Sequence, residues 1–293
     1  MKGKEFNGNR IIIMTCSDCN TKCKHCYISY KGNFNANELY NICEHLTKKY
    51  WVQLNGTEIL LHKDYFDSLQ LVKQNFILTN GIQFQKEPQI IKEIAKIGIK
   101  YVGISYHFGI HRDISSVDEK IIQNDFYRLM SEGIQPDIRV TITKENLKLI
   151  PDMCSRTLEL GVKRIKFTNY LQLGSAEKLS SQQILMKEDL EEFFSILNLM
   201  RKKYPENILR IRRCGSFGND DNPRRKCNFN CSACSDTVVM TPDYNIYPCI
   251  FLSKPGFEIG KMIDGKIIIF KDIQHTGRMC LAQQVSNYGE KIF

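Results

Sequence analysis

Between residues 10 and 200 the chain alternates, six times over, a short apolar run with a longer stretch of helical periodicity. Arg10–Met14 carries Ile11, Ile12 and Ile13 in succession, the continuous apolar run of a strand buried on both faces. Asn37–Lys49 follows with Leu39, Ile42, Cys43 and Leu46 on one helical face. Trp51–Leu54, Phe76–Thr79, Lys100–Ser105, Ile138–Ile142 and Arg164–Thr168 are the next predicted strands. The helices expected between and after them are Tyr65–Val72, Pro88–Lys96, Ile121–Met130, Leu147–Leu160 and Leu190–Met200. This order demands an α/β architecture of parallel strands joined by right-handed crossovers. A doubly wound sheet and a barrel both satisfy it. After Pro205 the pattern breaks into short strands among Cys, Gly, Pro and Asn, so two domains are expected, 1–205 and 206–293. With 293 residues, 42% of them hydrophobic, the chain can bury one sizeable core and carry a small second domain.

Twelve cysteines stand out. Met1–Arg10 is polar, and Ile11–Met14 is too short for a signal-peptide core or a membrane span. The expectation is a cytoplasmic chain without membrane contact, where clustered thiols bind metal more often than they pair. The net charge of +9 attracts anions. Its lysines are scattered, and only Arg224-Arg225-Lys226 is a tight basic cluster, so nucleic acid is not expected as a partner.

Cys19, Cys23 and Cys26 follow the first strand in the loop Cys19-Asn-Thr-Lys-Cys23-Lys-His-Cys26-Tyr27. Three thiolates on one loop can hold a 4Fe–4S cluster and leave one iron open to a small molecule. Structural zinc is the alternative; it needs a fourth ligand, for which Cys16 is the nearest thiol.

The C-x3-C-x2-C spacing with His25 before the last cysteine resembles the signature of the radical S-adenosylmethionine (SAM) superfamily. The resemblance covers roughly residues 8–205 and implies a partial (β/α)6 TIM-like barrel. It implies a SAM site at the C-terminal strand ends, where such barrels carry their chemistry. Tyr27 closes the loop. Gly56-Thr57-Glu58 is similar to the family's Gly-Gly-Glu-Pro motif, whose glutamate and backbone hold the SAM amino group; Thr57 and Ile59 depart from it. Asn80 in Leu78-Thr79-Asn80-Gly81, Ser105, and Asn146 after the fifth strand are further expected contacts. Arg112 or Arg139 would supply a guanidinium fork for the SAM carboxylate.

A second cysteine set, Cys227, Cys231, Cys234 and Cys249, brackets a predicted hairpin over Val238–Thr241 and Ile246–Tyr247. By itself it suits zinc or iron–sulfur. After such a barrel it resembles the Cys-rich twitch and SPASM domains that carry auxiliary clusters, although Tyr244 stands where glycine is usual. The resemblance implies two 4Fe–4S clusters, one binding SAM and one auxiliary on Cys231, Cys234 and Cys249, with Cys227 as the expected further ligand and Cys214 and Cys280 as competitors. Cys43 and Cys154 fall on apolar helix faces and read as core.

What the family does sets the functional expectation: reductive cleavage of SAM to a 5′-deoxyadenosyl radical, fed by an external donor such as flavodoxin or ferredoxin. Enzymes with this domain pairing modify ribosomally made peptides. The preferred expectation is L-to-D epimerisation, with Cys214 or Cys227 as hydrogen-atom donor; thioether or carbon–carbon cross-linking is the other peptide chemistry. Strand one begins near residue 10, so a leader-binding domain is not expected ahead of it. Asp220 and Asp221 are acid–base candidates by location. Two other readings are a nucleotide-modifying enzyme of the molybdenum-cofactor cyclase type, against which the Lys-Ile-Phe ending stands, and a non-catalytic iron–sulfur carrier or sensor.

Overall fold

The computed structural model describes residues 3–108, 118–178, 181–217, 231–273 and 280–289. In chain order its first half comprises β1 (Lys4–Glu5), β2 (Arg10–Met14), α1 (Ala36–Leu46), β3 (Trp51–Asn55), α2 (Phe66–Leu71), β4 (Phe76–Thr79), α3 (Ile82–Lys86), α4 (Ile90–Lys96) and β5 (Tyr101–Ser105). Then come α5 (Glu119–Ser131), β6 (Gln135–Ile142), α6 (Ile150–Glu159), β7 (Arg164–Asn169), α7 (Lys187–Lys203) and β8 (Arg210–Arg213). The chain continues through β9 (Thr237–Met240), β10 (Asn245–Tyr247), β11 (Gly260–Ile263), β12 (Lys266–Ile269) and α8 (Leu281–Tyr288).

The helices form where periodicity placed them. Asn35 caps α1 in a reciprocal box with Glu38, and the face Leu39, Ile42, Cys43, Leu46 is buried. β6 starts earlier than its apolar run, at Gln135, because Pro136 and Asp137 pair with Val102 and Gly103 of β5.

β2 and β3 pair in parallel, and β4 through β8 form a second, wholly parallel sheet. Together they make a partial TIM-like barrel with the helices outside. No strand ladder joins β3 to β4. The buried side chain of Gln74 bridges them instead: its Oε1 accepts the Leu54 N–H at 2.7 Å, while its Nε2 donates to the carbonyls of Leu54 at 2.9 Å and Phe76 at 2.7 Å. An amide side chain thus copies the donor–acceptor pair of a strand.

The segment beyond Pro205 is tied to both edges of the barrel. β8 extends β7 in parallel, and β9 lies parallel to β2, opening the antiparallel run β9-β10-β11-β12-β1. The β9–β10 turn puts Tyr244 at φ +63°, the left-handed conformation that glycine would adopt freely. Its ring packs edge-on to Phe34 and its hydroxyl donates to Glu38, so side-chain contacts to α1 hold the turn. Cys43 and Cys154 are fully buried, and burial pushes both thiols up to about 12. Among the described residues no helix is long and apolar enough to cross a membrane.

Candidate active site at the strand ends of the barrel

The loop leaving β2 is held by backbone bonds before any cofactor is considered. Thr15 donates its N–H to the Asn55 carbonyl at 2.5 Å, and Tyr30 donates its hydroxyl to the Cys16 carbonyl at 2.5 Å. Between these anchors, Cys26 N–H turns back to the Cys23 carbonyl at 3.2 Å. The Thr21 hydroxyl lies 3.2 Å from Cys19 Sγ and 3.5 Å from Cys23 Sγ, and Asn80 Nδ2 reaches Cys19 Sγ at 3.7 Å. Cys19, Cys23, Cys26 and Tyr27 all line one cavity of about 1370 Å³.

The thiols suit an iron–sulfur cluster chemically. Burial raises the Cys23 and Cys26 thiols above their ordinary range, and a bound positive centre such as iron would favour their thiolates. Among the described residues no three His, Cys, Asp or Glu side chains converge on one ion-sized point. Cys16, the thiol that would complete a zinc site, is fully buried elsewhere: a Cβ on Gly56 would lie 2.6 Å from its Sγ. Burial holds that thiol at about 11.

Gly56 and Thr57 line the cavity, as do Asn80, Ser105 and Arg139. Arg139 lines the cavity while its Nη2 pairs with Asp137 Oδ2 at 2.9 Å. Cys214 also lines it, fixed by its N–H donating to the Phe167 carbonyl at 2.7 Å.

Two expected contacts have protein partners of their own. The Glu58 carboxylate is fully buried and does not line the cavity. It accepts from Thr79 Oγ1 at 2.7 Å, Asn80 N–H at 2.7 Å and Leu60 N–H at 3.4 Å, because Glu58 caps the short turn that follows β3. Asn146 likewise stays off the cavity. Its amide closes its own turn, accepting from Thr143 N–H at 2.9 Å and donating to the Thr141 carbonyl at 2.9 Å. Arg112, Cys227, Asp220 and Asp221 lie outside the described residues.

Sequence reasoning missed Gly174. It sits at φ +63° against the cysteine loop, where a Cβ would come within 2.6 Å of the Cys26 carbonyl oxygen. The next residue, Ser175, donates its N–H to that carbonyl at 2.8 Å. The Leu-Gly-Ser turn after the last predicted strand was the available signal.

The later cysteines gather beside this cavity. Cys231, Cys249 and Cys280 pack in one cluster with Tyr27 and Phe251, and the Tyr27 and Phe251 rings meet edge-on at 4.7 Å. Cys249 is close enough to Cys231 and Cys234 for their charges to couple, and Cys280 to Cys249 and Cys231. Burial pushes Cys234 and Cys249 up to about 12 and raises Cys280 further.

Solved structures share this fold. Streptococcus suis SuiB bound to its precursor peptide SuiA superposes with a TM-score of 0.68 at 14% identity, covering 96% of this chain and 65% of that one. The enzyme anSMEcpe with bound AdoMet and the Cp18Cys peptide gives 0.68 at 18% identity, covering 88% and 78%. The fold is that of the radical SAM enzymes. Curated relatives include the Fe-coproporphyrin III synthase of Methanosarcina barkeri, 24% identical over 214 residues, 66% of this chain and 53% of that protein. Another is the pre-heme d1 synthase of Dinoroseobacter shibae, 26% identical over 178 residues, 55% of this chain and 43% of that protein. The chain spans about half the length of the curated relatives it matches. No protein-family model matches it. Against the radical SAM fold, the cysteine loop, the Gly56-Thr57 edge, Asn80 and Ser105 occupy the strand ends that face the cavity.

Proposed function

We propose that the chain is a radical SAM enzyme that modifies a peptide, with L-to-D epimerisation as the specific reaction. The observation that carries this is that Cys19, Cys23, Cys26, Ser105 and Cys214 all line one cavity. Cys19, Cys23 and Cys26 would hold a 4Fe–4S cluster with an open iron; Gly56, Thr57, Asn80, Ser105 and Arg139 would hold SAM against it. When bound, the cluster supplies the electron that splits SAM into methionine and a 5′-deoxyadenosyl radical, which takes hydrogen from the substrate. The electron comes from a donor protein of the flavodoxin or ferredoxin kind.

Cys231, Cys234, Cys249 and Cys280 would be the four ligands of an auxiliary cluster: Cys231, Cys249 and Cys280 share one packing cluster, and Cys249 couples electrostatically to Cys234. That assignment leaves Cys214 on the cavity wall as the hydrogen donor an epimerase needs: its S–H hydrogen passes to the far face of the substrate carbon radical, leaving a thiyl radical that an electron and a proton reset. The solved relatives SuiB and anSMEcpe, each bound to a peptide, support the substrate class. A second reading, a tetrapyrrole substrate, is favoured by the names of the curated relatives and by a cavity of about 1370 Å³, above the roughly 300–1,000 Å³ of ordinary small-molecule sites.

The test is an anaerobic reaction in heavy water with reconstituted protein, SAM, reductant and a candidate precursor peptide. Deoxyadenosine plus a single deuterium in the peptide is the expected result, and Cys214→Ala should lose the deuterium. Deoxyadenosine with hydrogen loss from the peptide would replace epimerisation by cross-linking. No deoxyadenosine from iron-loaded protein would end the radical SAM reading.

A further inference from the structure

Polar residues recur at every second position of β6 and β7, as on strands with one face in water. On β6 these are Asp137, Arg139 and Thr141; on β7 they are Arg164, Lys166 and Thr168. All six line the cavity, while Ile165 and Phe167 are buried on the opposite face of β7. The barrel closes around the polar side.

The charges inside do not balance. Arg10, Arg139, Arg164 and Lys166 line the cavity, and Asp137 is the carboxylate among them. Asp137 Oδ2 pairs with Arg139 Nη2 at 2.9 Å and lies 4.0 Å from Arg164 Nη2. Arg10 bonds Gln53 and stacks 4.3 Å from the Trp51 ring; Asp236 acts on it only from outside ion-pair distance. Arg164 stacks 4.4 Å from the Tyr101 ring. These contacts fix the guanidinium planes without neutralising them. In all three arginines the Nε–H is buried and has no hydrogen-bond partner. Buried donors left unpaired are rare, and each calls for a ligand or a cost in stability.

Glycine makes room for this arrangement. A Cβ on Gly103, the residue of β5 in register with Asp137, would stand 2.9 Å from Arg139 Nε and 2.6 Å from Leu78 Cδ2. The space beside the Arg139 guanidinium depends on that missing side chain. Lys166 lies between the arginines, and burial lowers its pKa, as expected for a cation with no bonded anion.

We infer that the interior of the barrel beneath the strand ends is a subsite for clustered carboxylates of the substrate, gripped by Arg10, Arg164 and Lys166. The inference rests on reading this cavity as the substrate chamber. It narrows the substrate to an anionic one: a peptide with neighbouring acidic side chains, or a macrocycle carrying several carboxylate arms.

The test is binding to the full chain with its clusters reconstituted. The probes are a fluorescent tetraglutamate peptide, its tetraglutamine counterpart, a porphyrin with four propionates and the matching tetra-amide. At least one carboxylate probe should bind at least about tenfold more tightly than its amide, and which one does so identifies the source. Lys166→Gln and Arg164→Gln should each weaken that binding by about tenfold or more, and Lys166→Arg, which keeps the charge, should restore most of it. Equal binding of acid and amide overturns the subsite, as does a Lys166→Arg variant as weak as Lys166→Gln. Deoxyadenosine formation by the unaltered protein is measured alongside. Its absence with charge-selective binding intact would sink the radical chemistry and leave the subsite standing; its presence without such binding would do the reverse.

Discussion

The Glu58 carboxylate accepts the backbone N–H of Asn80 at 2.7 Å, and that bond crosses the seam where β3 and β4 share no ladder. Asn80 in turn reaches toward Cys19 Sγ and donates to Asn20 Oδ1 at 2.7 Å. Glu58 therefore positions the cysteine loop through Asn80 without facing the cavity.

Burial pushes Glu58 up to about 7 from its ordinary 4.5. Between those values the folded protein holds a proton that the unfolded chain releases, so stability falls as pH rises through that window. The expected drop is about 2–3 kcal/mol. Asp125, also raised to about 7 by burial, adds a drop of the same sign. Melting curves of the cluster-free protein between about pH 5 and pH 8 should fall in midpoint, and Glu58→Gln should remove part of the slope. A midpoint rising over that range would contradict the assignment.

Gln74→Leu keeps the volume and strips the bridge, leaving the Leu54 N–H and carbonyl unpaired inside the protein. A loss of about 1–3 kcal/mol in denaturant titrations is expected. An unchanged midpoint would mean that another contact carries the seam.

Gly174→Ala meets both a left-handed backbone and the Cys26 carbonyl. A cost of about 1–3 kcal/mol is expected, concentrated in the cysteine loop. If the cysteine loop holds one cluster and the later cysteines another, iron retained after gel filtration should fall for the first while absorption from the second persists. Loss of both in parallel would point to global unfolding.

The two cysteine sets should separate spectroscopically. Replacing Cys19, Cys23 and Cys26 by Ala should remove about four irons per chain and all SAM cleavage. Cys280→Ser should instead disturb the auxiliary signal and leave the SAM-induced change in the electron paramagnetic resonance spectrum of the other cluster. If Cys280→Ser leaves every signal untouched, the fourth auxiliary ligand lies elsewhere.

The strands of the barrel were legible because Ile11–Ile13, Val52 and Leu54, and Val102 and Ile104 announce themselves within a few residues. β8 was not, since Arg210-Ile-Arg-Arg has no apolar run and becomes a strand only by pairing with β7. The Gly56-Thr57-Glu58 motif is local and legible, whereas the partners of Glu58 within the protein, Thr79 and Asn80, come from the next strand and its end. Position alone places Asn146 near the strand ends, and the fold adds that its amide closes its own turn through Thr143 and Thr141.

By itself the sequence determined the order of strands and helices and the thiol loop after the first strand, because periodicity and ligand spacing act over a few residues. Only the tertiary structure decided which face of Arg164-Ile-Lys-Phe-Thr looks inward. Alternation reads the same whether the polar side meets water outside or a cavity inside. It also decided that Cys280 joins Cys231 and Cys249 and that Gly174 braces Cys26. Both meetings bring together residues far apart in the chain, and tertiary packing, not local spacing, sets those distances.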